Sequence, residues 1–248
     1  MKLNSLFQDV SADEFQQCIQ ILSNTKLGKN IIGHQELVKL CMEQADLDAD
    51  IEPEAAHDEV IDIFLTCATQ AMPFFSAQIE TTPFVKFACE KFFPLSAWKF
   101  IGATEGDPAQ TQLRLLKVFA ELCGHCGALE KAKEKIETIY NVLLEFLPPP
   151  PADLENMETP SILFSHVECL LYSIHALGKQ CPEFLAFAAE DDKLKDFRNR
   201  LQFLSRNTQG YVKKLQDEIK AGKVSKDPKT DEEKLKVIGL MTTSNIQT

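Results

Sequence analysis

A chain of 248 residues is long enough to bury one large core or two modest ones, and 44% hydrophobic with 25% charged residues is the balance of a folded protein, not a disordered one. Its longest apolar runs, such as AMPFFSA, fall short of the roughly 18 residues a membrane span needs, and MKLNSLFQDV lacks the apolar stretch of a signal peptide, so neither membrane insertion nor export is expected. The net charge of −11 is uneven: residues 1–160 carry 25 acids and 12 bases, residues 161–248 carry 12 acids and 14 bases, and the acidic first part has the wrong sign for a nucleic-acid footprint but suits a basic protein partner.

The periodicity that recurs is helical. Three-four apolar spacing predicts helices near 11–25, 34–45, 55–71, 82–93, 108–123, 128–147, 161–178, 190–221 and 231–246, with shorter turns around Pro73 and Pro182. Ser11 and Glu14 have capping-box spacing, as do Thr230 and Glu233, and Asp107-Pro108 reads as an N-cap followed by proline at the first helical position. Gly124, Gly178 and Gly222 suit left-handed helix ends. No period-two alternation and no Asn-Gly or Asp-Gly hairpin separates apolar runs, so the fold class is all-α.

The helices fall into antiparallel pairs of about 35 to 45 residues, the period of HEAT-like or armadillo-like repeats in an α-solenoid, with a helical bundle as the competing arrangement. Three segments follow: acidic helical repeats over 1–147, a proline-rich stretch over 148–160 (PPPPADLENMETP), and further repeats over 161–248 ending in a long basic-faced helix near 190–221. Four consecutive prolines end a helix. They mark either a domain boundary or a long loop within one stack, and a loop is expected.

Within the first segment no base lies between Lys39 and Lys86, while ten acids do, including Asp46, Asp48, Asp50 and Glu52. The plain reading is a solvated surface; the sharper one is a docking surface for a basic protein. In the last segment Lys193, Lys195, Arg198 and Arg200 alternate with Leu194 and Phe197, the pattern of an amphipathic helix with a basic face.

Eight cysteines spread one or two to a helix read as small hydrophobes in a reducing compartment. Cys123-Gly124-His125-Cys126 spells a disulfide-isomerase tetrapeptide, but that chemistry places the first cysteine at a helix N-terminus, whereas here an amphipathic helix runs into it. A zinc site would want a second ligand pair at finger spacing, and Cys169 and Cys181 stand twelve apart. Among the histidines, His175 in LLYSIHALG reads as a packing residue. No metal, cofactor or catalytic residue is expected.

Longer segments carry a more specific signal. FSHVECLLYSIHALGKQCPEFL from Phe164, KLKDFRNRLQ from Lys193, LVKLCMEQADL from Leu37 and EFLPPPP from Glu145 resemble the apoptosis inhibitor 5 family, also called antiapoptosis clone 11, over nearly the whole chain. The resemblance implies the second half of that family's helical-repeat domain and a non-enzymatic, monomeric scaffold that suppresses apoptosis in the nucleus, with a cytoplasmic pool allowed. It implies as partners Acinus, fibroblast growth factor 2 and RNA-export DEAD-box helicases. The residues themselves leave two other functions to weigh: a nucleic-acid-associated (RNA-export) binding module on the basic-faced helix, and, less favoured, a thiol oxidoreductase at Cys123 and Cys126. The family's growth-factor site matches LFQDVSADEF, where Asp9 and Glu14 keep the acidic character and Gln8 has lost a charge; Asp13 joins Asp9 and Glu14 as a candidate protein-binding residue. A lysine that the family acetylates matches Ala77. The leucine zipper credited to the family would run through Leu170, Leu177 and Phe184, but Gly178 and Pro182 interrupt it, so these side chains are expected to be buried.

Overall fold

The computed structural model describes residues 11–52, 58–103, 107–150, 162–186, 191–220, 237, 239 and 241–246. The chain divides into two compact units, Met1–Ile139 and Tyr140–Thr248. The described residues form helices joined by turns and coil, and their single strand-like feature is an isolated bridge between Ser76 and Ile79.

The first unit contains α1 (Ala12–Ser23), α2 (Ile31–Gln44), α3 (Asp58–Ala71), α4 (Thr82–Lys91), α5 (Leu95–Trp98) and α6 (Pro108–Cys123). Its starts follow local chemistry. The Ser11 side chain accepts from the Glu14 N–H, while Ser11 N–H donates to Glu14 Oε2 at 2.9 Å, a complete capping box. Asp107 caps the Ala109 N–H at 3.0 Å with Pro108 at the first helical position. Pro94 stops the run expected over 82–93, so that α4 ends at Lys91 and the short α5 begins afresh.

Packing in this unit joins segments distant in sequence: α3 touches α1, α2 and α6, and α4 touches α6. Phe64 is fully buried, with ring centroids 5.9, 5.8 and 5.2 Å from Phe84, Phe87 and Phe92. Phe93 lies 5.6 Å from Trp98 and 4.4 Å from Phe119. These are edge, stacked and tilted pairs, each worth roughly 0.5–1.5 kcal/mol beyond the area buried.

The helix α7 (Ala132–Phe146) crosses the division between the units. The second unit holds the end of α7, then α8 (Phe164–Gly178), α9 (Pro182–Ala186) and α10 (Asp191–Lys220), with further helical residues over 241–246. Leu170 and Leu177 have no exposed surface and Phe184 is buried. The chain leaves helical geometry between Gly178 and Pro182, so these three side chains do not share one helix. Of the proline-rich stretch, Pro148–Pro150 are described and exposed.

Two expectations need correction. Gly124 is right-handed (φ −65°), and α8 runs through Gly178 to a right-handed cap at Lys179, so neither glycine serves as a left-handed stop. The carbonyls at the end of α6 are met from elsewhere: the Thr81 hydroxyl donates to the Leu122 carbonyl at 2.5 Å, and Thr81 N–H donates to the His125 carbonyl at 3.2 Å. His175 is exposed, while His166 is the buried histidine of α8, its ring 4.9 Å from that of Phe146. Gly222, Thr230 and Glu233 lie outside the described residues.

Candidate functional site

The second half of α2 ends at Ala45, and Asp46 then turns the chain through a left-handed residue (φ 47°). That turn, carrying Asp46, Asp48 and Asp50, borders an open groove of about 980 Å³ in the first unit. Its other walls are Lys39, Met42 and Glu43 of α2, the Pro83–Lys91 face of α4, and Ala128–Glu130. The α4 members Pro83, Lys86, Phe87, Glu90 and Lys91 recur at three-four spacing and therefore line one helix face. Met42, Leu47, Phe87 and Leu129 are the large apolar side chains of the lining and are buried or half-buried, so they are its floor, and most of its charged side chains are exposed.

Several of those charges are already engaged. Lys91 Nζ donates to Asp50 Oδ1 at 2.7 Å, and this hydrogen bond, with the ammonium charge behind it, holds the Asp50 carboxyl below the ordinary aspartate range. Lys135, 8% exposed, pairs with Glu90 Oε1 at 3.0 Å and donates to the Glu130 carbonyl at 3.0 Å. Lys39 approaches Glu43 at 3.9 Å. Elsewhere in the acidic window, Arg114 pairs with Asp62 at 2.9 Å and Asp58 accepts from the Gly102 N–H at 3.1 Å. The bases missing from the window in sequence thus arrive from other helices.

Asp46, Asp48 and Glu130 remain: among the described residues none forms an ion pair with them, and all three are exposed. Lys86 is the lysine of the lining in the same condition. Asp46 and Lys131, the two described non-glycine residues with positive φ, sit in the turns that border the groove. A left-handed conformation costs an L residue on the order of 1 kcal/mol, less for aspartate than for lysine.

The other acids singled out from sequence do not join this groove. Glu52 is exposed but does not line it. Asp13 and Glu14 stand in the first turn of α1, where the Glu14 carboxylate is held by Ser11 and its pKa is lowered by those hydrogen bonds. Asp9 lies outside the described residues. On α10, Arg200 Nε donates to Asp196 Oδ2 at 2.8 Å, and its Nη1 bonds the Leu147 carbonyl. The ammonium of Lys193 sits 5.3 Å from the Tyr140 ring centre, Lys195 pairs with Asp192 at 3.7 Å, and Arg198 is exposed. What the sequence reading missed is the α4 face and Ala128–Glu130. The three-four pattern from Pro83 to Lys91 marks a face, but nothing local says that α2 and residues 128–130 meet it.

The cysteines are thiols. Cys123 closes α6 rather than opening a helix, and is buried. The half-buried Cys126 thiol donates to the Gly127 carbonyl at 3.4 Å, and the Gly127 N–H donates to the Thr82 hydroxyl at 3.0 Å, fixing this loop against the start of α4. Burial pushes Cys67 up to about 12 and raises Cys41 and Cys89 as well. No described group of three His, Cys, Asp or Glu side chains is arranged to hold a metal ion, and no described helix is long and apolar enough to cross a membrane.

Fold and groove together define an all-helical protein that presents a charged, apolar-floored surface cleft. The chain belongs to the apoptosis inhibitory protein 5 (API5) family, whose profile matches residues 2–248. It is 50% identical over 250 residues to the apoptosis inhibitor 5 homolog of Drosophila melanogaster, covering 99% of this chain and 46% of that protein. Identity to apoptosis inhibitor 5 of Homo sapiens is 38% over 246 residues, covering 97% of this chain and 46% of the human protein. With the apoptosis inhibitor 5-like protein of Oryza sativa it is 24% over 220 residues, covering 82% and 38%. The chain spans about half the length of the curated relatives it matches.

Proposed function

We propose that this chain is an antiapoptotic protein-binding scaffold, an α-solenoid of HEAT-like and armadillo-like repeats that acts in the nucleus without catalysis of its own. The observation that carries the reading is identity to proteins named apoptosis inhibitor 5 across nearly the full chain, 50% for the Drosophila melanogaster relative and 38% for the human one. Two features support a binding role, and two more weigh against its rivals. Helix packs on helix in the first unit, where α3 meets α1, α2 and α6, as a helical-repeat scaffold would require. The charged groove offers such a surface. The Cys123–Cys126 loop sits at the negative end of α6, where the helix dipole disfavours a thiolate, so a thiol oxidoreductase gains nothing from the geometry. On α10 two of the basic side chains are engaged by Leu147 and Tyr140, which favours protein over RNA as the ligand. Acinus, fibroblast growth factor 2 and the RNA-export DEAD-box helicases are the partners this reading would examine first.

The test is complementation. Cells depleted of their own apoptosis inhibitor 5 are given this chain and exposed to a death stimulus. Effector-caspase activity should fall toward that of undepleted cells, and Cys123→Ser with Cys126→Ser should protect equally. Caspase activity unchanged by the wild-type chain would overturn the antiapoptotic reading; protection lost only in the double serine variant would overturn the non-catalytic one.

A further inference from the structure

We infer that the groove between α2, the Asp46–Asp50 turn and α4 receives a basic amphipathic segment of a partner protein. The apolar side chains of that segment would rest on the floor, and its lysines or arginines would face Asp46, Asp48 and Glu130. This deepens the scaffold reading and rests on it, since it names the chemistry of a partner.

The floor comes first. Met42 and Leu47 are half-buried while Phe87 and Leu129 of the same lining are buried, so the open apolar area of the cleft is that of Met42 and Leu47. Adding a strand would need a sheet edge, and the described residues contain none; a helix laid in the groove uses both the apolar lining and the acids around it.

Charge then selects the occupant. The pairs Asp50–Lys91 and Glu90–Lys135 are closed within the fold. Three exposed carboxylates, on Asp46, Asp48 and Glu130, face one exposed ammonium, on Lys86, among the lining groups outside any described ion pair. That surplus repels a phosphate backbone and attracts a cationic one. Exposed pairs are individually weak, so three together change affinity by only about tenfold, and the apolar contact must supply the rest.

The experiment uses fluorescence anisotropy of a short labelled peptide with leucines at helical three-four spacing and lysines between them. A second peptide carries serine in place of each leucine. The variant Asp46→Asn with Asp48→Asn and Glu130→Gln should bind the leucine peptide about tenfold more weakly in 0.1 M salt, a loss that shrinks in 1 M salt where the screening length is about 3 Å. The control Glu36→Gln with Glu59→Gln and Glu121→Gln removes the same charge from exposed sites off the groove and should stay within about twofold of wild type. Lys86→Glu should bind more tightly, a gain that damage to the fold cannot produce. Equal losses from the two triple variants, equal binding of the serine peptide, or displacement of the peptide by oligouridine would each overturn the inference. The result is independent of cell survival. A chain that binds the peptide through these acids yet fails to protect cells sinks the antiapoptotic reading alone. One that protects without binding the peptide sinks this inference alone.

Discussion

The acidic turn after α2 and the basic helix α10 are both plain charge runs in the sequence, yet the fold uses them differently. On α10, Arg200 ties Asp196 and the Leu147 carbonyl to one guanidinium, and Lys193 lies over the Tyr140 ring. Those two cations serve their own unit. At the acidic turn, Asp50 is taken by Lys91, but Asp46 and Asp48 stand exposed beside an apolar-floored groove. A charge run read from sequence reports a solvated surface. Whether it can recruit a partner depends on how many of its charges the fold has already engaged, and that is a tertiary property.

The same distinction applies to apolar side chains, and there the effect is largest. Leu177 has no exposed surface, and α8 ends one residue after it. Leu177→Ala should cost about 2–5 kcal/mol, the usual penalty for a buried leucine whose site collapses incompletely. The check is a denaturant melt: the midpoint should fall at constant slope. If the variant kept its midpoint and lost a protein partner instead, this leucine would belong with the groups open to partners and not with those the fold consumes.

Local chemistry explains which features were legible. The Ser11–Glu14 capping box and the Asp107-Pro108 start act over three residues, so these two helix starts are legible in the string, and Ser11 with Glu14 fits its pattern atom by atom. Helix ends were harder. Gly124 invited a left-handed stop, but Thr81, 41 residues before Leu122, supplies the hydrogen bond that the end of α6 needs. His175 is exposed and does not pack, and the string carries the signal: it follows His166 by nine residues, half a turn out of phase, and His166 shares its stripe with Leu170 and Leu177. The groove itself had no local signature. It assembles the end of α2, one face of α4 and residues 128–130, and no periodicity within one segment announces its neighbour in another.

A smaller effect is expected where an engaged charge is removed from α10. Arg200 is largely buried along its side chain, and the carbonyl it bonds belongs to Leu147, which is 1% exposed. Arg200→Ala strands that carbonyl away from water and should cost about 1–3 kcal/mol. Arg198→Ala, on an exposed side chain two residues earlier, should stay within about 0.5 kcal/mol. Paired thermal melts decide it. Equal, small effects at both positions would mean that Arg200 is as open to partners as Arg198, and the contrast between the two charge runs would fail.

The smallest effect concerns Asp50, the acid of the rim that the fold does engage. Its carboxylate is fully exposed, so its contact with Lys91 should barely move the melting temperature. Its titration should reveal the contact all the same. The Lys91 hydrogen bond and charge favour the ionised form, placing the folded pKa below the unfolded one. The stabilisation is therefore fully present above the unfolded aspartate pKa and disappears as pH falls through the lower, folded value. Following the Asp50 carboxyl carbon by NMR across an acid titration should give a midpoint below that of an ordinary aspartate. Lys91→Met should return it to the ordinary range, because the group that lowered it is gone. A midpoint that Lys91→Met leaves in place would show that the pair does not form in solution, and Asp50 would then join Asp46 and Asp48 as a charge open to a basic partner.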